Sequence, residues 1–210
     1  MDIVIYLFEG ITALDAVGPY EVLTRLPDAR VRFVGDEVGL ARTDNGALAL
    51  ACDVARRDVD RADVLLVPGG FGTRRLESDE SVLEWIRAVD ATTQTTMSVC
   101  TGSMVLAAAG LLRERPATTH WASLERLAEY GAVPTSERVV TSDKYVTAAG
   151  VSSGIDMALR YAARTAGEEL AMTVQLGIEY DPDPPFDCGS VDKAPPEIVQ
   201  AILDRFAERS

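Results

Sequence analysis

The run Thr96-Met97-Ser98-Val99-Cys100-Thr101-Gly102-Ser103-Met104 decides how this chain is read. Thr96 to Val99 has the short apolar and β-branched character of a strand buried on both faces. Met104 to Leu112 is helix-forming, so Cys100 falls on a sharp strand-to-helix turn, a geometry that exposes the thiol. At a helix start, unpaired N–H groups and the positive end of the dipole favour thiolate over thiol and lower the cysteine pKa. Gly102 leaves room for a substrate to approach. The competing reading is a small buried hydrophobe, since free cysteines are among the most buried residues.

Outward from this turn, Ile3 to Phe8, Val31 to Val34 and Val64 to Val67 repeat the buried-strand pattern. Helical stretches lie between them at Leu14 to Leu26 and at Val82 to Val89, where Val82, Leu83, Ile86 and Val89 recur at three-to-four spacing. Leu48, Leu50 and Cys52 alternate with alanines after the turn residues Asp44-Asn45-Gly46. Val139 to Thr141 and Tyr145 to Thr147 straddle Ser142-Asp143-Lys144, so both pairs read as hairpins or edge strands. Further helices are expected at Ala122 to Tyr130, Gly154 to Ala166, Glu168 to Glu179 and Pro195 to Ala207. Repeated βαβ units with right-handed crossovers predict a three-layer αβα sandwich with a mostly parallel central sheet. Its ligand site should lie beyond the carboxyl ends of the central strands.

The 210 residues are read as one domain spanning 1–210, and a hydrophobic content of 47% is ample for a buried core. Twenty Lys and Arg against 33 Asp and Glu leave a net charge of −13, which repels phosphate backbones and anionic lipid. Neither a nucleic-acid nor a membrane partner is expected. The start MDIVIYLF lacks the basic opening and length of a signal peptide, and no apolar run approaches the roughly 20 residues that cross a bilayer. A cytoplasmic protein is the expectation. Cys52, Cys100 and Cys188 are too few and too far apart for a disulfide framework or a Cys-x-x-Cys pair, and His120 is the sole histidine, which disfavours most metal sites.

Two more loops follow predicted strands and should converge with Cys100. Gly69-Gly70 could present an N–H as an oxyanion donor, or form a plain turn. Asp15 stands in the apolar setting Ile11-Thr12-Ala13-Leu14-Asp15-Ala16-Val17, where a carboxylate needs a partner, a cap role or a raised pKa. It reads either as a proton carrier beside Cys100 or, with Thr12, as an acidic variant of a capping box. Any Cys-His scheme must use His120, although a hydrogen-bonded structural histidine is the simpler reading. Cys52 reads as core and Cys188 as an incidental thiol.

Together, Leu14-Asp15-Ala16-Val17-Gly18-Pro19, Pro68-Gly69-Gly70, Ser98-Val99-Cys100-Thr101-Gly102-Ser103, Ala117-Thr118-Thr119-His120-Trp121 and Gly150-Val151-Ser152-Ser153-Gly154-Ile155-Asp156 resemble the ThiJ/PfpI superfamily. That resemblance implies a flavodoxin-like fold related to class I glutamine amidotransferases. Within the superfamily the chain is most similar to bacterial isocyanide hydratases, including the late segment Gln175 to Phe186. The resemblance implies that Cys100 attacks the terminal isocyanide carbon and that water resolves the thioimidate to an N-substituted formamide. Asp15 would handle the proton, Thr101 and the Gly70 backbone would line the nucleophile and stabilise charge, and Val151 would pack near the thiol. A homodimer acting on a small molecule without a cofactor is also implied.

Protease-like members carry His directly after the nucleophile, where this chain has Thr101. Glyoxalase-like members use a glutamate where Asp15 stands. A cofactor-free hydratase of α-oxoaldehydes remains the alternative enzyme. Related domains also sense ligands in transcription regulators, followed by a helix-turn-helix region. Here only about one helix is expected at the end and no basic footprint is seen, so a standalone small-molecule or oxidant sensor is the corresponding alternative.

Overall fold

The computed structural model describes residues 1–208. By contact density it divides into two units, Met1–Ile178 and the remainder from Glu179 onward. In chain order the first unit contains β1 (Asp2–Tyr6), α1 (Ala13–Leu23), β2 (Arg30–Gly35), β3 (Gly39–Arg42), β4 (Ala49–Cys52), β5 (Val54–Ala55), β6 (Val64–Val67), α2 (Thr73–Leu76), α3 (Glu80–Asp90), β7 (Thr95–Val99), α4 (Gly102–Ala108), β8 (Pro116–Ala117), β9 (Val133–Pro134), β10 (Val139–Ser142), β11 (Tyr145–Ala148), α5 (Ser153–Ala166) and α6 (Glu168–Gly177). The second unit carries α7 (Pro196–Glu208) and an exposed ion pair between Lys193 and Asp187 at 2.6 Å.

Seven strands form the central sheet in the order β10-β11-β7-β6-β1-β2-β5, parallel throughout except for the β10–β11 pair. Every residue of β6 and β7 is buried, because helices cover both faces and no strand surface is left to water. The expected sandwich is therefore the observed one. From β1 the chain moves to one side for β2 and β5, then to the other for β6, β7 and β11, so the order reverses at β1. This is the switch point of an open α/β sheet, and the loops after β1, β6 and β7 meet there.

Local chemistry accounts for most element ends. Asp79 caps α3 by accepting the Val82 N–H at 3.3 Å, and Val82, Leu83, Ile86 and Val89 are buried as their spacing predicts. Residues 39–52 form a two-stranded antiparallel hairpin apart from the main sheet, turning at Asp44-Asn45-Gly46. The expected helix at Ala122 to Tyr130 is a 3₁₀ helix over Trp121–Tyr130. Leu124 and Leu127, three apart, share a face on that tighter turn and both pack into the core. Helix α1 stops at Leu23 rather than Leu26, with Pro19 inside it. Proline has no N–H to give the Asp15 carbonyl, so α1 is loosened at the residue that concerns the site.

Candidate active site

Four loops at the carboxyl ends of β1, β6, β7 and β11 bring Asp15, Gly69-Gly70, Cys100-Thr101 and Val151 together. The closeness is measurable at Gly69. A Cβ built there would lie 2.6 Å from the Thr101 nitrogen, 2.8 Å from Asp15 Oδ2 and 2.8 Å from the Cys100 Cβ. Only glycine fits, since no side-chain carbon tolerates those separations. Gly102 is as constrained, its virtual Cβ lying 2.0 Å from the Val67 carbonyl oxygen.

Cys100 is the residue directly after β7, with φ +55, a left-handed conformation that costs a residue bearing a Cβ. Its N–H donates to the carbonyls of Ala148 (3.0 Å) and Ala149 (2.8 Å). The backbone N–H groups of Thr101 and Val151 and the Thr101 hydroxyl lie close enough to the sulfur to lower the thiol pKa. These donors favour the thiolate. Burial nevertheless dominates: Cys100 is 6% exposed, and desolvation followed by the nearby Asp15 charge pushes the thiol well above its ordinary range. The expectation of an exposed thiol with a depressed pKa is thus corrected. The electropositive turn is present, but removing the sulfur from water outweighs it.

Asp15 is fully buried. Its Oδ2 accepts the Gly69 N–H at 2.9 Å, the Cys100 thiol beside it favours the ionised carboxyl group, and Oδ1 is buried without a hydrogen-bond partner. Desolvation is the main cause that lifts its pKa to about 7; the bonds from Gly69 and Cys100 oppose the rise and the Asp44 charge adds slightly to it. The capping-box reading is set aside. Thr12 makes no side-chain cap bond and instead donates its hydroxyl to Asp44 Oδ2 at 2.9 Å, while the Asp15 carboxyl is spent on another loop.

The two glycine N–H groups are both engaged. Gly69 serves Asp15, and Gly70 donates to Thr101 Oγ1 at 3.0 Å. The donors aimed at the sulfur come from Thr101 and Val151 instead. Val151, expected to pack near the thiol, also brings a backbone N–H, at φ +28, that favours the thiolate. No local pattern marks a backbone donor on a loop 50 residues downstream.

His120 stands against Gly150, the residue before Val151. Its Nδ1 accepts the Ala122 N–H at 3.3 Å, capping the 3₁₀ helix, and its ring would sit 3.0 Å from a Cβ at Gly150. Burial lowers its pKa, so the imidazole is neutral near pH 7. Cys52 is buried on β4 within the apolar core, as expected of a core thiol. Among the described residues no cluster of three His, Cys, Asp or Glu could hold a metal ion, and no helix is long and apolar enough to cross a membrane.

A carboxyl group titrating near neutrality against a buried thiol, both walled by backbone N–H donors, can move one proton between acid, sulfur and a bound molecule. The chain is 43% identical over 201 residues to the isonitrile hydratase of Pseudomonas putida, covering 96% of this chain and 88% of that protein. It is 30% identical over 165 residues to the HTH-type transcriptional regulator CdhR of Pseudomonas aeruginosa, of which it spans 48%. A crystal structure of a ThiJ/PfpI family protein from Pseudomonas syringae superposes with a TM-score of 0.94 at 35% identity, covering 99% of this chain and 86% of that one. Residues 1–164 match the DJ-1/PfpI family, and with the elbow cysteine, its acid and the sheet order all in place, the chain belongs to that family.

Proposed function

We propose that this protein is a hydro-lyase of the isocyanide hydratase type, adding water to small organic isocyanides to give N-substituted formamides. The observation that carries the reading is the buried Cys100 thiol set against Gly69 together with a buried Asp15 carboxyl whose pKa is raised to about 7. Identity of 43% to an isonitrile hydratase across nearly both full lengths supports the substrate class. An isocyanide is uncharged and apolar, so it enters a desolvated site without the penalty an ion would meet.

In this mechanism ionised Asp15 takes the proton of Cys100 as the sulfur attacks the terminal carbon, forming the C–S bond. The attacked carbon then takes that proton back from Asp15, leaving a thioimidate, R–N=CH–S–Cys100. Asp15, ionised again, removes a proton from water, which adds to the same carbon. The nitrogen takes that proton from Asp15, the C–S bond breaks as the added hydroxyl becomes the carbonyl, and R–NH–CHO leaves while the hydroxyl proton returns to the sulfur. One water is consumed and no oxidant or reductant is needed. Thr101 and Val151 N–H groups stabilise the anionic sulfur on arrival and departure. Thr101 Oγ1 holds the Gly70 loop against the nucleophile, Gly69 fixes the acid, and His120 stands against Gly150 as a neutral ring.

The same reading places the enzyme in the cytoplasm as a homodimer with no nucleic-acid or membrane partner. The net charge of −13 and the family resemblance support it. Light scattering after gel filtration checks the dimer. The activity test is turnover of an alkyl isocyanide, followed as formamide by NMR, with methylglyoxal in a parallel arm. Wild type should form formamide, while Cys100→Ser should fall by about a thousandfold or more. Absence of formamide from wild type, or full turnover by Cys100→Ser, overturns the proposal; lactate from methylglyoxal would redirect it to α-oxoaldehydes.

A further inference from the structure

Thr119 sits outside the group just described, yet it touches the nucleophile's backbone. Its side chain is 1% exposed and its hydroxyl donates to the Cys100 carbonyl oxygen at 2.7 Å. This is the short bond that oxygen receives; the Ser103 N–H lies at 3.4 Å, and the Met104 N–H, the usual helical donor to residue 100, goes to the Thr101 carbonyl at 3.0 Å. The segment bearing Thr119 is itself fixed, because the Thr118 N–H donates to Thr147 Oγ1 on β11 at 2.9 Å. Both ends of residue 100 are therefore tied to β11: its N–H directly through Ala148 and Ala149, and its C=O through residues 118 and 119.

The Cys100 C=O and the Thr101 N–H belong to one planar peptide unit and point in opposite directions. Holding the oxygen on Thr119 fixes the direction of that N–H, one of the two backbone N–H groups that favour the thiolate. Without the hydroxyl, nothing equally short opposes rotation of this peptide away from the strained φ of +55.

We propose that Thr119 is a positioning residue that sets the orientation of the Cys100–Thr101 peptide, and through it the Thr101 N–H that serves the sulfur. The inference rests on the reading of Cys100 as nucleophile, and a readout independent of isocyanide turnover separates the two. Thr119→Val removes the hydroxyl and keeps the shape; Thr119→Ser keeps the hydroxyl and loses a methyl group. For each, kcat and KM for isocyanide hydration are measured alongside the pH profile of Cys100 alkylation by iodoacetamide, with the site of modification mapped by mass spectrometry.

Thr119→Val should lower kcat about tenfold or more with KM within about threefold, as loss of one charge-stabilising donor does. Its alkylation midpoint should move up by roughly half a pH unit or more, because the thiolate loses a hydrogen bond. Thr119→Ser should track wild type in both. Wild-type values in Thr119→Val, or failure of Thr119→Ser to rescue, would overturn the proposal. If Thr119→Val does not fold, Thr119→Ala is compared with Thr119→Ser by the same criteria. Should wild type not hydrate isocyanides, the reaction assignment falls and the alkylation profiles still decide the role of Thr119.

Discussion

Replacing Asp15 by Asn tests the buried acid on stability as well as on rate. The amide can still accept the Gly69 N–H but cannot ionise, so the change isolates the proton. A folded-state pKa of about 7 against roughly 3.9 in the unfolded chain amounts to about 4 kcal/mol. The folded pKa is raised, so the sign is the reverse of the usual carboxylate: below about pH 4 the acid is protonated in both states and carries no penalty. As pH rises to about 7 the unfolded chain releases the proton more readily than the folded one, and wild type loses stability relative to Asp15→Asn. Burying the amide adds an offset of about 1–2 kcal/mol that does not vary with pH. Urea unfolding, followed by the fluorescence of Trp85 and Trp121, should therefore show the difference between variant and wild type shifting in favour of Asn by roughly 3 kcal/mol between pH 5 and 8.5. Over the same range wild-type kcat/KM should rise through a midpoint of about 7, since the ionised form takes the thiol proton, and Asp15→Asn should lack that limb. A stability difference constant to within about 1 kcal/mol across the range would refute the argument that desolvation raises this pKa.

Gly102→Ala should be costly, because its Cβ would meet the Val67 carbonyl at 2.0 Å and the Pro68 carbonyl at 2.8 Å, both backbone atoms. A loss of about 3 kcal/mol or more, seen as a melting temperature lower by roughly 10 °C, is expected. Gly110→Ala, at φ +80 but facing open space, should cost only about 1–2 kcal/mol; equal losses would show that close approach is not what Gly102 serves. Asp90→Ala removes a buried carboxylate that accepts from Thr96 Oγ1 (2.6 Å) and Tyr145 Oη (3.2 Å) and pairs with Lys144 at 3.0 Å. Leaving those donors unpaired should cost about 3 kcal/mol by chemical denaturation, whereas Glu80→Ala, which breaks an exposed pair with Arg87, should stay within about 0.5 kcal/mol. An Asp90→Ala variant within about 1 kcal/mol of wild type would contradict this contrast.

Much of the fold was legible because it rests on short-range pattern. The apolar runs at Ile3, Val64 and Thr96 could be nothing but strands buried on both faces, and their alternation with helical periodicity implied the parallel sheet. The 3₁₀ form of residues 121–130 and the early end of α1 were not legible, since both depend on what the neighbouring elements leave room for. In the site, chain order alone brought Cys100, Asp15 and Gly69-Gly70 to one end of the sheet, because loops after adjacent parallel strands must converge.

What those residues do to one another was decided only in three dimensions. A local reading of Cys100 left open both an acidic thiol at a helix start and a small buried hydrophobe; the folded chain buries the sulfur, and desolvation is the largest influence on the thiol. The same burial raises the pKa of Asp15, which the sequence left open as either a cap or a proton carrier, to about 7. The donors on the sulfur come from residues 101 and 151, and the hydroxyl behind its peptide from residue 119, positions linked by no local repeat. Periodicity is a property of neighbours along the chain and survives in the sequence, whereas solvent exclusion and the aim of a peptide N–H exist only once the strands have been laid side by side.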